Sequence, residues 1–330
     1  MKATGRIAPI AVVLMTIAVV LAAISYFFTA GPRRPPEWQG ELTSPTDALI
    51  NLCYSPDATF LAAGSGTGEV VLWNLKAKRV KTLPRLMDES VVTIGIAPDG
   101  FLVASDLAGN CAGWQLGTGR TKTFPKLPAP VTSIAFRDSP TIGPEMALGL
   151  ADGQIVFFTR SGHEMMRTRH RGGVCELRYS PDGRLLVTAG RDGLLEWRNA
   201  DTRQIASITR AHSGEVGDLA FSPDGRLLAS ADWNGRVVIW NAKTREPLER
   251  QDVSDAVSAL AWIPTQPLTL VAGGWDGRLR FFSYRLQPSQ RAIHVGSPIL
   301  DIALSPDPNI IATVCGSSSV DLWKVPTKQP

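Results

Sequence analysis

The sequence is poor in the residues from which most active sites are built. It has four histidines and four cysteines in 330 residues. His163, His170, His212 and His294 form no His-x-His or His-Glu-x-x-His pattern, and no Gly-x-Ser-x-Gly elbow or phosphate loop occurs. This leaves little for catalysis, and no cofactor or metal is expected. Cys53, Cys111, Cys175 and Cys315 are too far apart for a zinc spacing and read as buried free thiols. Excess charge is also missing. Lys2, Arg6, Arg33 and Arg34 precede any acid, and removing them leaves 30 basic against 30 acidic residues. A neutral body argues against nucleic-acid binding, which depends on neutralising phosphates. The 24 residues Ile7 to Ala30 carry no charge at all.

What the chain does have is a repeat. Tyr179-Ser180-Pro181-Asp182-Gly183-Arg184-Leu185-Leu186 returns as Phe221-Ser222-Pro223-Asp224-Gly225-Arg226-Leu227-Leu228. Weaker copies start at Tyr54, Ala97 and Leu304. Pro181, Pro223, Pro264 and Pro306 are 42, 41 and 42 residues apart, a period that means a repeat architecture. Within residues 212–242, three apolar runs are separated by a Ser-Pro-Asp-Gly turn and an Asn-Gly turn, and a weak fourth run follows. Such a unit is a small antiparallel sheet, apolar on both faces, which must stack on copies of itself. The aromatic that ends the third run falls at Trp73, Trp114, Phe158, Trp197, Trp240, Phe282 and Trp323, giving seven units. Two units are irregular. Unit four is one residue short between Gly193 and Trp197. Unit three lacks the Pro-Asp-Gly turn and has an insertion around Thr141–Glu145.

The Leu228-Ala229-Ser230 run, the Asp152-Gly153, Asp192-Gly193 and Asp276-Gly277 turns and the strand-end tryptophans resemble the WD40 family. The resemblance covers about residues 38–330 and implies an all-β, seven-bladed propeller. It also implies a network of loop His, strand Ser or Thr, turn Asp and strand Trp. His170, Thr188, Asp192 and Trp197 fit it in unit four. His212, Ser230 and Trp240 fit it in unit five, where Asn234 replaces the Asp. Thr67, Ala108 and Ser317 replace the Asp in other units.

The last unit has no room for a fourth strand after Trp323, and Trp38–Leu42 aligns with fourth-strand residues 80–84, so residues 38–43 are expected to close the ring. Such closure removes exposed sheet edges. It would set Cys53 and Cys315 in adjacent units. Before it, the expected order is a short polar tail (1–6), a transmembrane helix (7–30) and a proline-rich linker (31–37). As a helix, 24 residues reach about 36 Å, enough for a bilayer core. A cleaved signal peptide is the rival, with a shorter apolar region and a small-residue site that is missing here. The two positive residues on each flank leave orientation open. The expectation is a propeller on the periplasmic or extracytoplasmic side, held close to the membrane.

The shared residues build the ring, so function is sought where the copies differ. The position before the turn Asp, or its replacement, reads Gly66, Leu107, Ala151, Arg191, Trp233, Trp275 and Gly316. Trp and Arg are enriched in interface hot spots. Arg191, Trp233 and Trp275, with Arg169 and Arg171 beside His170, are expected to bind a protein partner. The expected role is a non-enzymatic, membrane-anchored scaffold or assembly subunit. The alternatives are an accessory structural subunit held mainly by its helix, and an enzyme or small-ligand binder using the central channel. Convergent carboxylates at a channel mouth would favour the last, and none is visible in the sequence.

Overall fold

The computed structural model describes residues 37–326 apart from 140, 142, 160, 254, 266, 307 and 308. The expected tail and anchor, and residues 31–36 of the linker, lie outside the described residues. Among the described residues no helix is long and apolar enough to cross a membrane. They form an all-β ring of seven four-stranded antiparallel sheets. Blade one runs Leu49–Tyr54, Phe60–Ser65, Val70–Asn74 and Arg79–Thr82 from channel to rim. Blades two to seven begin with Val91–Ile96, Val131–Ser139, Val174–Tyr179, Val216–Phe221, Val257–Ile263 and Asp301–Leu304. The outermost strand of blade seven is Trp38–Thr43, which pairs antiparallel with Ser319–Lys324. Trp38 Nε1 donates to Asp321 Oδ1 at 3.2 Å across this seam.

The second and third strands are buried on both faces, while a fourth strand such as Pro247–Asp252 faces solvent on alternate residues. Side chains alternate across a strand, so each middle strand feeds two interfaces. Leu195 and Trp197 of blade four meet Leu228, Val238 and Trp240 of blade five, while Ile239 of blade five packs toward Trp262 of blade six. The Ser-Pro-Asp-Gly turns are held by their own polar groups. Ser222 Oγ donates to Asp224 Oδ1 at 2.6 Å, and the same carboxylate accepts Arg226 N–H at 3.0 Å. Hydrogen bonding from Ser222 brings the Asp224 carboxyl below its usual range.

Two details of the family network differ from the sequence reading. In blade five the aspartate is present, two residues before Asn234. His212 Nδ1 lies 3.1 Å from Asp232 Oδ2, His212 Nε2 lies 2.7 Å from Ser230 Oγ, and Trp240 Nε1 donates to Ser230 Oγ at 2.9 Å. In blade two, Asp106 likewise accepts the turn N–H groups of Ala108 and Asn110. Blades three, four and six carry the acid in the turn instead, at Asp152, Asp192 and Asp276. One space serves both choices: a Cβ added at Gly190 would lie 2.7 Å from Asp192 Oδ1 and 2.5 Å from His170 Nε2.

Blade four has no such tryptophan. His170 Nδ1 does lie 2.8 Å from Thr188 Oγ1. No residue is missing from this blade: its strands keep the register of blade five, and Leu186 faces Arg198 where Leu228 faces Trp240, so an arginine stands at the tryptophan position and Trp197 one residue before it. Trp197 points to the other face and packs edge-on against Trp240 at 6.4 Å, its Nε1 without a partner. Arg198 fills the vacated slot. It pairs with buried Glu196 and donates to Thr168 Oγ1 at 3.2 Å.

The insertion in unit three lengthens a hairpin, Val131–Ser139 against Gly143–Leu150, as far as the Ser139–Gly143 pair. Glu145, near its tip, is fully buried between two arginines: Arg137 Nε at 2.6 Å and Arg203 at 2.5 Å. Arg137 also donates to Gly183 O and Ala200 O, both at 2.8 Å, which fastens the hairpin to blade four. All four cysteines are free, so no bridge joins Cys53 to Cys315.

Two outcomes follow for stability, each read from thermal unfolding. A chain beginning at Ala48, without the closing strand, should melt roughly 5–10 °C below one beginning at Glu37, a loss of a few kcal/mol in a protein of this size. Trp240→Phe should destabilise by about 1–2 kcal/mol because Ser230 loses the indole donor, and by more than Trp197→Phe, which removes an unpaired buried N–H.

Candidate interaction surface and central channel

The first strands line a central cavity of about 770 Å³. Each of blades one to six opens its first strand with a bulge, as between Val216 and Asp218. The residues after the bulges are Asn51, Thr93, Ser133, Glu176, Asp218 and Ala259, with Asp301 in the matching place of blade seven, and of these Asn51, Thr93, Glu176, Asp218 and Asp301 line the cavity. Their polar atoms join neighbouring blades. Asp218 accepts its own next amide, Leu219 N–H, and Leu260 N–H of blade six, both at 2.7 Å. Asp301 accepts Ile302 N–H at 2.8 Å and, across the ring closure, Leu52 N–H at 2.9 Å. Ser133 accepts Leu177 N–H at 3.2 Å, and Asn51 Nδ2 donates to Val91 O at 3.1 Å.

The channel therefore holds the convergent carboxylates that were not visible in the sequence. Their one internal cation is Arg178, which pairs with Glu176 and lies 3.5 Å from Asp218. Burial dominates their titration. It pushes the Asp301 carboxyl up to about 7 and raises Glu176 and Asp218, against the pull of Arg178 and the backbone donors. Among the described residues no group of three His, Cys, Asp or Glu is placed to hold a metal ion. Burial also raises the Cys53 and Cys175 thiols, so neither is an activated thiolate.

At one end of the channel the loops between second and third strands repeat one geometry. The amides of Gly66, Leu107, Ala151, Arg191, Trp233 and Trp275 each donate to a carbonyl just before the first strand of their own blade, while Gly316 of blade seven donates across the ring closure to Leu49 O of blade one. This brings Arg191, Trp233 and Trp275 together on the cavity wall. Both tryptophans are half-buried and pack edge-to-face, with centroids 5.6 Å apart and planes at 75°. Trp275 Nε1 is buried without a partner. Arg191 lies 3.5 Å from Glu215. Arg169 and Arg171 do not line the cavity. Both are exposed at blade four, and Arg169 donates to Asp152 O at 3.0 Å.

Sequence reasoning found the mouth residues and missed the wall. The wall was readable as a column: Asn51, Thr93, Glu176, Asp218 and Asp301 each stand four residues before the first residue of the Ser-Pro-Asp phrase or its counterpart.

Comparison with known proteins agrees with the repeat. Residues 37–74, 162–196, 203–241 and 248–283 match the family model described as WD domain, G-beta repeat. The LST8 homolog of Drosophila melanogaster is 26% identical over 158 residues, covering 47% of this chain and 39% of that protein. The groucho protein of the same species is 26% identical over 166 residues, covering 49% and 22%. The anaphase-promoting complex subunit cdh1 of Dictyostelium discoideum is 41% identical over 167 residues, covering 49% and 21%. The chain thus spans about two fifths or less of the length of these relatives. A chain in a crystal structure of the mitotic checkpoint complex superposes with a TM-score of 0.79 at 23% identity, over 91% of this chain and 98% of that one. This likeness shows the shared fold.

The channel acids give stability a particular pH dependence. The folded state holds protons on Asp301 and Glu176 to higher pH than the unfolded chain, whose carboxyls titrate near 4. Their contribution is therefore present below about pH 4 and is lost as pH rises towards 7. His170, held down by burial, acts in the opposite sense near 6.5. Melting temperatures of Asp301→Asn and the native protein should converge by a few degrees between pH 4.5 and 7.5. A constant difference would show that Asp301 does not titrate in that window.

Proposed function

We infer that this seven-bladed propeller with WD40 repeats is a non-enzymatic protein-interaction scaffold or assembly subunit. It docks a protein partner on the face that carries Arg191, Trp233 and Trp275, with Arg169 and Arg171 at its edge. One observation carries the reading: a half-buried tryptophan pair at a channel mouth, one indole N–H of which lacks a partner. Tryptophan and arginine dominate interface hot spots. The Dictyostelium relative is by name a subunit of a complex, and the superposed chain was crystallised within one. We place the protein at a membrane through residues 7–30, with the propeller on the extracytoplasmic side, because 24 uncharged residues fit a bilayer core.

A second reading is favoured by the cavity itself. About 770 Å³ with convergent carboxylates is within the range of small-ligand sites. The carboxylates, however, already accept backbone amides and bridge blades, which accounts for their presence without a ligand.

Trp233→Ala with Trp275→Ala should weaken partner capture from a mild-detergent extract by roughly 30-fold, about 2 kcal/mol, with the melting temperature little changed. Undiminished capture by a folded double variant would remove the docking face. A reporter fused at Pro330 should be active only as an extracytoplasmic enzyme, and removal of residues 7–30 should release the protein from the membrane fraction.

A further inference from the structure

The wall of the channel differs in charge from the rest of the molecule. The propeller is formally neutral, yet the cavity is lined by Glu176, Glu215, Asp218 and Asp301 against Arg178 and Arg191. Four acids less two arginines leave a formal charge of −2 when all are ionised. A concave, low-dielectric wall concentrates the field of such a charge towards its mouth. Both wall cations already face acids: Arg178 lies between Glu176 and Asp218, and Arg191 lies 3.5 Å from Glu215. Among the described residues Asp301 has no ion-pair partner, and Asn51, only 8% exposed in the same wall, has an amide oxygen without a hydrogen bond.

The tryptophans stand over this wall. Indole faces attract cations, and Trp is the strongest of the aromatic side chains in this respect. The cations at the rim are less suited to an acidic partner, since Arg191 is beside Glu215 and Arg169 is 3.9 Å from Asp152. Glu215 precedes the strand Val216–Phe221, and Asp218 lies three residues further along the chain, inside it. The acids are thus graded from the rim into the channel.

We propose that the docking face at blades four to six receives a basic, extended segment of the partner protein. A lysine or arginine of that segment passes over Trp233 and Trp275 into the acidic channel. This rests on the reading of that mouth as the docking face and adds the chemistry of what enters it.

The test uses the full chain in mild detergent and two fluorescein-labelled peptides of glycine and serine, one with a central Arg-Lys pair and one with Glu-Asp. Anisotropy at low salt should show the basic peptide binding at least tenfold more tightly, with affinity falling as salt rises. Trp275→Ala, Glu176→Gln and the fold-safe rim variant Glu215→Gln should each weaken it severalfold. Equal binding of the two peptides, or basic-peptide binding undiminished in Trp275→Ala, overturns the proposal. A partner captured by the native protein, lost in the tryptophan variant and not displaced by excess basic peptide would overturn the basic segment while leaving the docking face in place.

Discussion

The structure depends on one constraint: no sheet in it has a face that water can cover. The second and third strands of each blade are buried on both sides, so a blade is stable only between two neighbours, and the stack must close on itself. Closure puts seven first strands edge to edge around a channel, where their amides turn away from their own sheet. The side chains after the bulges answer that problem. Asp218 and Asp301 each take one amide from their own strand and one from the next blade, so a single carboxylate serves two sheets. Buried carboxylates are expensive unless hydrogen-bonded, and here the backbone supplies the bonds. The acidity of the channel is thus a by-product of how the hub is fastened, available for recognition at the mouth.

The same logic explains where blades depart from the common pattern. A turn needs one carboxylate near its amides, and Asp232 and Asp192 provide it from positions two residues apart in the repeat. In blade four the space is shared, since a Cβ at Gly190 would meet the Asp192 carboxylate. In blade four the tryptophan stands one position early, at Trp197, on the other face of the strand, and a buried arginine with its glutamate occupies the slot. In blade three the missing turn phrase is offset by a longer hairpin, fastened to blade four through Glu145 and two arginines. Each departure keeps the seam and changes the chemistry that holds it.

The ring was legible because its signals are local and repeated. The turn phrase, the strand-end aromatic and the spacing near 42 residues each recur, and they suffice for seven sheets. The mouth was legible for the opposite reason, since Arg191, Trp233 and Trp275 break a column that is otherwise small or apolar. The hub carboxylates were not. Asn51, Thr93, Glu176, Asp218 and Asp301 vary in type and lie in a run whose apolar neighbours draw the eye to the core. Their convergence is created by ring closure, a contact between residues such as Leu52 and Asp301, 249 positions apart. Blade four misled because its tryptophan stands one position before the repeat's tryptophan site, which reverses the face it occupies, while Arg198 takes the site itself.

The closing strand has a consequence in time. Trp38–Thr43 leaves the ribosome first among the described strands, yet its partner Ser319–Lys324 is made last, with 283 positions between Trp38 and Asp321. At 5–20 residues per second that interval is on the order of 15–60 s. Throughout it, an unpaired strand waits beside a growing stack whose leading and trailing edges are both open. The nascent chain therefore remains an incomplete arc until Ser319–Lys324 has been made.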